Sequence, residues 1–76
     1  MNIHIKGEKV KYRELKAAEK NLDASIELIS RFLVDDEGKP IPQEEAMLQL
    51  EELNLIELRQ AQTDFLTALN QAMTSG

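Results

Sequence analysis

Acidic side chains come closest to a chemical signature in this chain. They form two adjacent pairs, Glu44-Glu45 and Glu51-Glu52, and the run Asp35-Asp36-Glu37. Paired carboxylates perform general acid–base chemistry when both side chains enter one pocket. Neighbouring residues on a helix point in different directions. We therefore interpret the two glutamate pairs as groups that keep the chain soluble and complement helix ends.

Metal and nucleophile signatures are missing. The chain has no cysteine, which excludes disulfides and cysteine-ligated zinc or iron–sulfur sites. A calcium loop needs alternating ligands and a glycine at its sixth position, whereas the acids of residues 35–37 are consecutive. The only imidazole is His4, close to the chain end, and no serine has a histidine or lysine partner at a suitable spacing. We expect no catalytic residue, no metal and no cofactor, and hence no enzyme.

The charge of the chain is unevenly distributed. The net charge is −5, made of +3 over residues 1–20 and −8 over residues 21–76. The acidic part should repel nucleic acid. The lysines of the N-terminal part are either simply solvated or available to dock on an acidic surface. A helix-turn-helix reading around Asn54 also fails, because the helix after it carries a single basic residue, Arg59.

Length and hydropathy indicate one small domain, residues 1–76, in which 42% of the residues are hydrophobic and 30% are charged. Residues 1–6 lack the apolar region of a signal peptide. No run approaches the roughly 18 apolar residues of a membrane span. We expect a cytoplasmic protein that binds neither membrane nor nucleic acid.

The segment from Asp35 to Pro42 divides the chain. It combines an acidic run with Gly38, Pro40 and Pro42, so no helix can pass through it. We predict a turn over residues 35–42, with non-helical backbone across Asp35–Ile41. The flanking apolar residues could form a tiny hairpin, with Gly38 in the left-handed conformation.

Residues 2–12 alternate apolar and polar side chains, which is typical of a half-buried strand. Ile3 and Ile5 form one run, Val10 and Tyr12 the other, with Gly7-Glu8 between them at a hairpin turn. We predict a short hairpin over residues 2–12. The alternative is a single extended strand at Ile3–Ile5 followed directly by helix.

Residues 13–33 fit a single helix without Pro or Gly, with apolar residues at steps of three and four. A second apolar line runs beside the first. It makes the apolar surface unusually wide, so this helix is either covered on two sides or partly exposed to a partner. The residues of this second line are our candidate partner surface: Ala17, Ala24, Leu28 and Phe32.

Two further helices are predicted over residues 43–53 and 55–73. Asn54 with Glu57 has the spacing of a helix-capping box, so we place the break at Asn54. Apolar residues occupy one arc of the last helix, and Gln62 alone intrudes on it. The fold class is therefore mostly α, a three-helix domain with a short N-terminal β-hairpin or strand (α+β if the hairpin is counted). We expect a core that includes Leu22, Ile29, Leu50, Phe65 and Leu69.

One family resembles the middle of the chain. The run Phe32-Leu33-Val34-Asp35-Asp36-Glu37-Gly38-Lys39-Pro40-Ile41-Pro42-Gln43-Glu44-Glu45-Ala46, followed by Leu50, Leu53, Leu55 and Glu57-Leu58, resembles small tail assembly proteins of long-tailed bacteriophages and prophages. The resemblance covers about residues 30–70. It implies a non-enzymatic chaperone that holds apolar segments of a long tail protein before tube assembly. It carries over no catalytic or binding residue.

The residues and the resemblance together favour a protein-interaction module that acts on another protein by apolar groove or helix-face contact. The alternative is a small regulator or inhibitor that forms a homodimer and acts on another protein. A small enzyme or ligand-binding protein is disfavoured because no convergent set of polar residues is visible.

Overall fold

The computed structural model describes residues 2–6 and 9–74, the last of these by its backbone alone. The described residues form four helices and two short strands. In chain order these are β1 (Asn2–Ile3), α1 (Tyr12–Lys20), α2 (Leu22–Ser30), β2 (Leu33–Val34), α3 (Gln43–Glu51) and α4 (Leu55–Thr74). The predicted fold class, mostly helical with a short strand element at the N-terminus, is confirmed.

The helix predicted over residues 13–33 is two helices, so the expected helix count of three is wrong. Asn21 is extended, with φ −138° and ψ 121°, and its side-chain oxygen accepts a hydrogen bond of 2.8 Å from the backbone N–H of Asp23. This is the geometry of an N-cap, which satisfies one of the free N–H groups at the start of α2. The chain therefore turns between α1 and α2 without any Gly or Pro. The second helix ends at Ser30, and the backbone is already a strand at Leu33.

The N-terminal strand pairs with a distant partner. β1 runs antiparallel to β2, with Asn2 opposite Val34 and Ile3 opposite Leu33, and the N–H of His4 donates to Phe32 O at 2.9 Å. The prediction that residues 2–12 pair with each other in a hairpin is wrong, because Tyr12 starts α1 instead of a second strand. Its expected turn, Gly7-Glu8, lies outside the described residues. Pairing with β2 is favoured because a two-stranded ribbon is marginal in water unless it packs on a core, and Leu33 is fully buried.

The predicted break between the two halves of the chain is confirmed. Residues 35–41 are non-helical, and a single antiparallel bridge joins Val34 to Pro40. The Asp35 N–H donates to Lys39 O at 2.8 Å, and the Asp35 carboxylate accepts the N–H groups of Glu37 and Lys39, each at 2.9 Å. Gly38 has φ +83°, as the tiny hairpin requires. The acidic run therefore serves the turn through backbone hydrogen bonds.

Replacing Gly38 should test this turn. A Cβ added at Gly38 would meet nothing within 4 Å, so the cost of Gly38→Ala is conformational and not steric. We expect a loss of about 1–2 kcal/mol in the free energy of unfolding, measured by urea denaturation. Gly38→Asn is the control and should lose less, because asparagine tolerates the left-handed region. An alanine variant as stable as the parent would contradict the assigned conformation.

Asn54 caps the start of α4, as the spacing between Asn54 and Glu57 predicts. The Glu57 N–H donates to Asn54 Oδ1 at 2.8 Å, and the Asn54 N–H donates to Glu57 Oε1 at 3.3 Å. The two residues thus satisfy each other's backbone groups, which is the reciprocal pattern of a capping box. α3 ends shortly before, at Glu51, so only residues 52–54 separate α3 from α4.

The core lies around α2, which packs against α1, α3 and α4. Four of the five expected core residues are buried: Ile29, Leu50, Phe65 and Leu69. The prediction for the fifth, Leu22, is wrong, because this residue is 38% exposed. It follows the break at Asn21, where the change of direction removes it from the line of apolar residues that a continuous helix would have kept together.

Candidate functional site

Titratable side chains do not form a metal site in the described residues. Within residues 2–6 and 9–74, no group of three or more His, Cys, Asp or Glu side chains is arranged to hold a metal ion. The His4 residue is exposed, and it contributes a backbone hydrogen bond to the strand pairing. The surfaces that can contact another molecule must therefore be sought among the grooves between helices.

The predicted partner surface does not exist as one surface. Leu28 and Phe32 are buried in the core, 3% and 8% exposed, which corrects their assignment to a partner-facing line. Ala17 is exposed and Ala24 half-buried, and both line a shallow recess of about 150 Å³ between α1 and α2. The wide apolar face of α2 is accounted for because other elements of the same chain cover it.

Arg31 spans this recess. Its guanidinium contacts the carboxylate of Glu14 on α1 and lies 3.0 Å from that of Glu27, one turn earlier on α2. The backbone N–H of Lys11, together with the Arg31 guanidinium, holds the pKa of Glu14 below its ordinary value. Hydrogen bonds to Glu14 and Glu27 raise the pKa of Arg31. These side chains are partly solvated, so their ion pairs add little to the free energy of unfolding. The pairs join α1 to the end of α2 and compensate the charges of Glu14, Glu27 and Arg31.

A larger groove, which we call the helical groove, opens between α1, α2 and α4. It has a volume of about 370 Å³. Its apolar lining includes the buried residues Leu28, Ile29 and Phe65 and the exposed residue Leu66. Its remaining lining residues come from α1, α2 and α4: Leu15, Ala18, Glu19, Ser25, Arg59, Gln62 and Thr63. The groove is thus mainly apolar, with a single cation and a single carboxylate among the residues that line it.

Gln62 and Ser25 form the polar contact of this groove. The side-chain amide of Gln62 donates to Ser25 Oγ at 2.9 Å, and Ser25 is only 3% exposed. A buried hydroxyl without a partner would cost free energy, so Gln62 explains how Ser25 is tolerated in the core. The intrusion of Gln62 on the apolar arc of α4 was visible in the sequence. Ser25 was missed, and its only signal was a polar residue between the apolar neighbours Ala24 and Ile26.

Three exposed apolar side chains lie on one flank of α4, and one of them, Leu66, also lines the helical groove. Leu55, Leu66 and Met73 are 54%, 39% and 67% exposed. Their spacings of eleven and seven residues place them on one flank of the helix, which Gln62 shares. α4 has 20 residues, a length of about 30 Å. We call the flank formed by Leu55, Leu66 and Met73 the apolar flank.

Comparisons with known protein families, characterised proteins and solved structures find no match for this chain. In the described part of the chain, no helix has both the length and the hydropathy that crossing a membrane requires. The function must therefore be argued from the surfaces that its own residues build.

Proposed function

We propose that this chain is a non-enzymatic protein-binding module that holds an apolar, helical segment of another protein against the helical groove and the apolar flank. The observation that carries the proposal is that the two features share Leu66. This residue lines the helical groove and is also the middle residue of the apolar flank on the longest helix.

A helical segment fits this surface better than a small molecule does. A volume of about 370 Å³ is near the lower limit of ligand pockets, which hold about 300–1,000 Å³. The apolar flank is instead a line of side chains along one face of a long helix, spaced eleven and seven residues apart. A helix that lies in a groove binds through anchors on one apolar face in the same way.

The resemblance of residues 30–70 to small tail assembly proteins of phages and prophages supports a more specific form of the proposal. In that form the client is an apolar segment of a long tail protein, held until the tail tube assembles. A surface that accepts apolar helical segments without a catalytic group suits such a holding role. Leucine and methionine also adapt to clients of different shape, because methionine in particular is flexible and polarizable.

Titration with an idealised amphipathic peptide carrying leucines at positions a and d should reveal the surface. We expect saturable NMR shifts at Leu15, Leu28, Gln62 and Leu66. Leu66→Glu should weaken binding at least about tenfold, because a carboxylate would have to be desolvated beneath the apolar face of the peptide. Circular dichroism would verify that the variant is folded.

Leu48→Glu is the matched control. Leu48 is 59% exposed on α3 and does not line the helical groove, so the same substitution there should leave peptide affinity unchanged. An absence of saturable shifts, or shifts centred elsewhere, would refute the proposal. A homodimer that Leu66→Glu dissociates would instead favour the alternative function, a small dimeric regulator that uses the apolar flank for self-association.

A further inference from the structure

A second groove, which we call the acidic groove, lies between the turn at residues 35–41 and helices α3 and α4. Its volume is about 870 Å³. Ile41 and Leu53, both half-buried, supply apolar surface to it. Five carboxylates from three parts of the chain also line it: Asp35, Asp36, Glu52, Glu57 and Asp64. No lysine or arginine is among its lining residues.

These carboxylates are bonded only to neutral groups in the part of the chain that the structure describes. Asp35 and Glu57 accept backbone N–H groups, while Asp36 accepts from Asn2 at 3.3 Å and Asp64 from Gln60 at 3.0 Å. The ion pairs among the described residues involve Arg31 with Glu14 and Glu27, and Lys39 with Glu37. Among the described residues, no basic side chain lines the acidic groove to compensate its five carboxylates, so its complement is a segment that is both cationic and partly apolar.

The residues that lead into α1, together with its first turns, have this complementary chemistry. Lys9, Lys11, Arg13 and Lys16 are all exposed. Tyr12 stands among them with 72% of its surface exposed, and the Lys16 ammonium lies 5.5 Å from the centre of its ring. An exposed tyrosine beside a lysine suits a contact with another protein, since tyrosine and arginine are enriched where proteins bind one another.

We propose that the start of α1 of one copy docks in the acidic groove of a second copy. Tyr12 would cover the apolar surface around Ile41 and Leu53, and the lysines would face the carboxylates. No residue of α1 lines the groove of its own chain, so the contact joins different copies. The two surfaces are different, so the association is head-to-tail and leaves a free groove at one end and a free α1 at the other.

Ionic strength provides the first test. The full chain should self-associate in about 0.01 M salt, where the Debye length is about 30 Å, and dissociate in about 1 M salt, where it is about 3 Å. Sedimentation velocity over a range of concentrations would measure the change. A chain that remains monomeric at about 1 mM in about 0.01 M salt would overturn the proposal.

Two variants that each block one side provide the decisive test. Glu52→Lys with Asp64→Lys reverses charge in the groove, and Tyr12→Ala with Lys16→Gln removes the α1 anchor. Each variant alone should be monomeric. A mixture of the two should form heterodimers and nothing larger, because only one intact α1 and one intact groove then remain.

Glu44→Lys with Glu45→Lys is the control, since it changes the net charge as much as the groove variant does but alters exposed residues outside the groove. It should associate as the parent does. Loss of association in this control, or a mixture that stays monomeric, would show that net charge or another surface is responsible. A monomeric chain whose acidic groove binds an added lysine-rich peptide would assign the groove to a different protein and would also overturn the proposal.

Discussion

Phe65→Ala is expected to lower the free energy of unfolding by about 3–5 kcal/mol, the usual cost of removing a buried aromatic side chain. Phe65 is 3% exposed, and its ring centre lies 6.0 Å from that of Phe32 at an angle of 45°. The substitution leaves a cavity where α4 meets the end of α2. Small domains have only about 5–15 kcal/mol of stability in total, and a chain this short has a small core. The variant should therefore unfold at a markedly lower urea concentration and temperature than the parent.

Two companion variants make this result specific when followed by urea and thermal denaturation. Phe65→Leu retains apolar volume and should lose less than the alanine variant. Ile56→Ala lies on the same helix but is 81% exposed, so its effect should be within about 0.5 kcal/mol. A Phe65→Ala variant that melts within a degree or two of the parent would show that α4 presents a different face to the core.

The parts of the fold that the sequence predicts are those decided by neighbouring residues. Gly38 and the two prolines that follow it prevent one helix from running through this segment. Asn54 with Glu57 carries both halves of its capping box within four residues, and the structure contains both hydrogen bonds. Asn21 was missed because it carries only half of such a signal. Its third helical position is Ala24, which has no side-chain group to return the hydrogen bond.

The parts that could not be predicted depend on contacts between residues far apart in the chain. Ile3 finds its strand partner at Leu33, and no local pattern distinguishes this partner from Val10 or Tyr12. The candidate site has the same difficulty. Gln62 was recognisable as a polar residue on an apolar arc, but its partner Ser25 lies 37 residues earlier. Whether the second apolar line of residues 13–33 is covered by this chain is likewise decided by how the other helices pack.

A substitution at Leu28 tests whether the second apolar line is covered by this chain or by a partner. If this chain covers it, Leu28→Glu should abolish folding. The side chain is 3% exposed beneath α1 and α4, and Arg31, the nearest cation on its helix, is already paired with Glu14 and Glu27. The glutamate would lose the apolar contacts of leucine and bury a charge without a partner. We expect a loss of more than about 3 kcal/mol, seen by circular dichroism as a chain without cooperative unfolding.

Ala24→Glu is the matched control on the same helix, because Ala24 is half-buried at the edge of the shallow recess and a longer side chain there can reach solvent. It should remain folded, with a moderate loss of stability from the nearby carboxylates of Glu14 and Glu27. If Leu28→Glu instead remained folded and changed only the sedimentation of the protein, the side chain would have to face a second molecule. The packing of α2 between α1 and α4 would then be wrong, and with it the helical groove on which the proposed function rests.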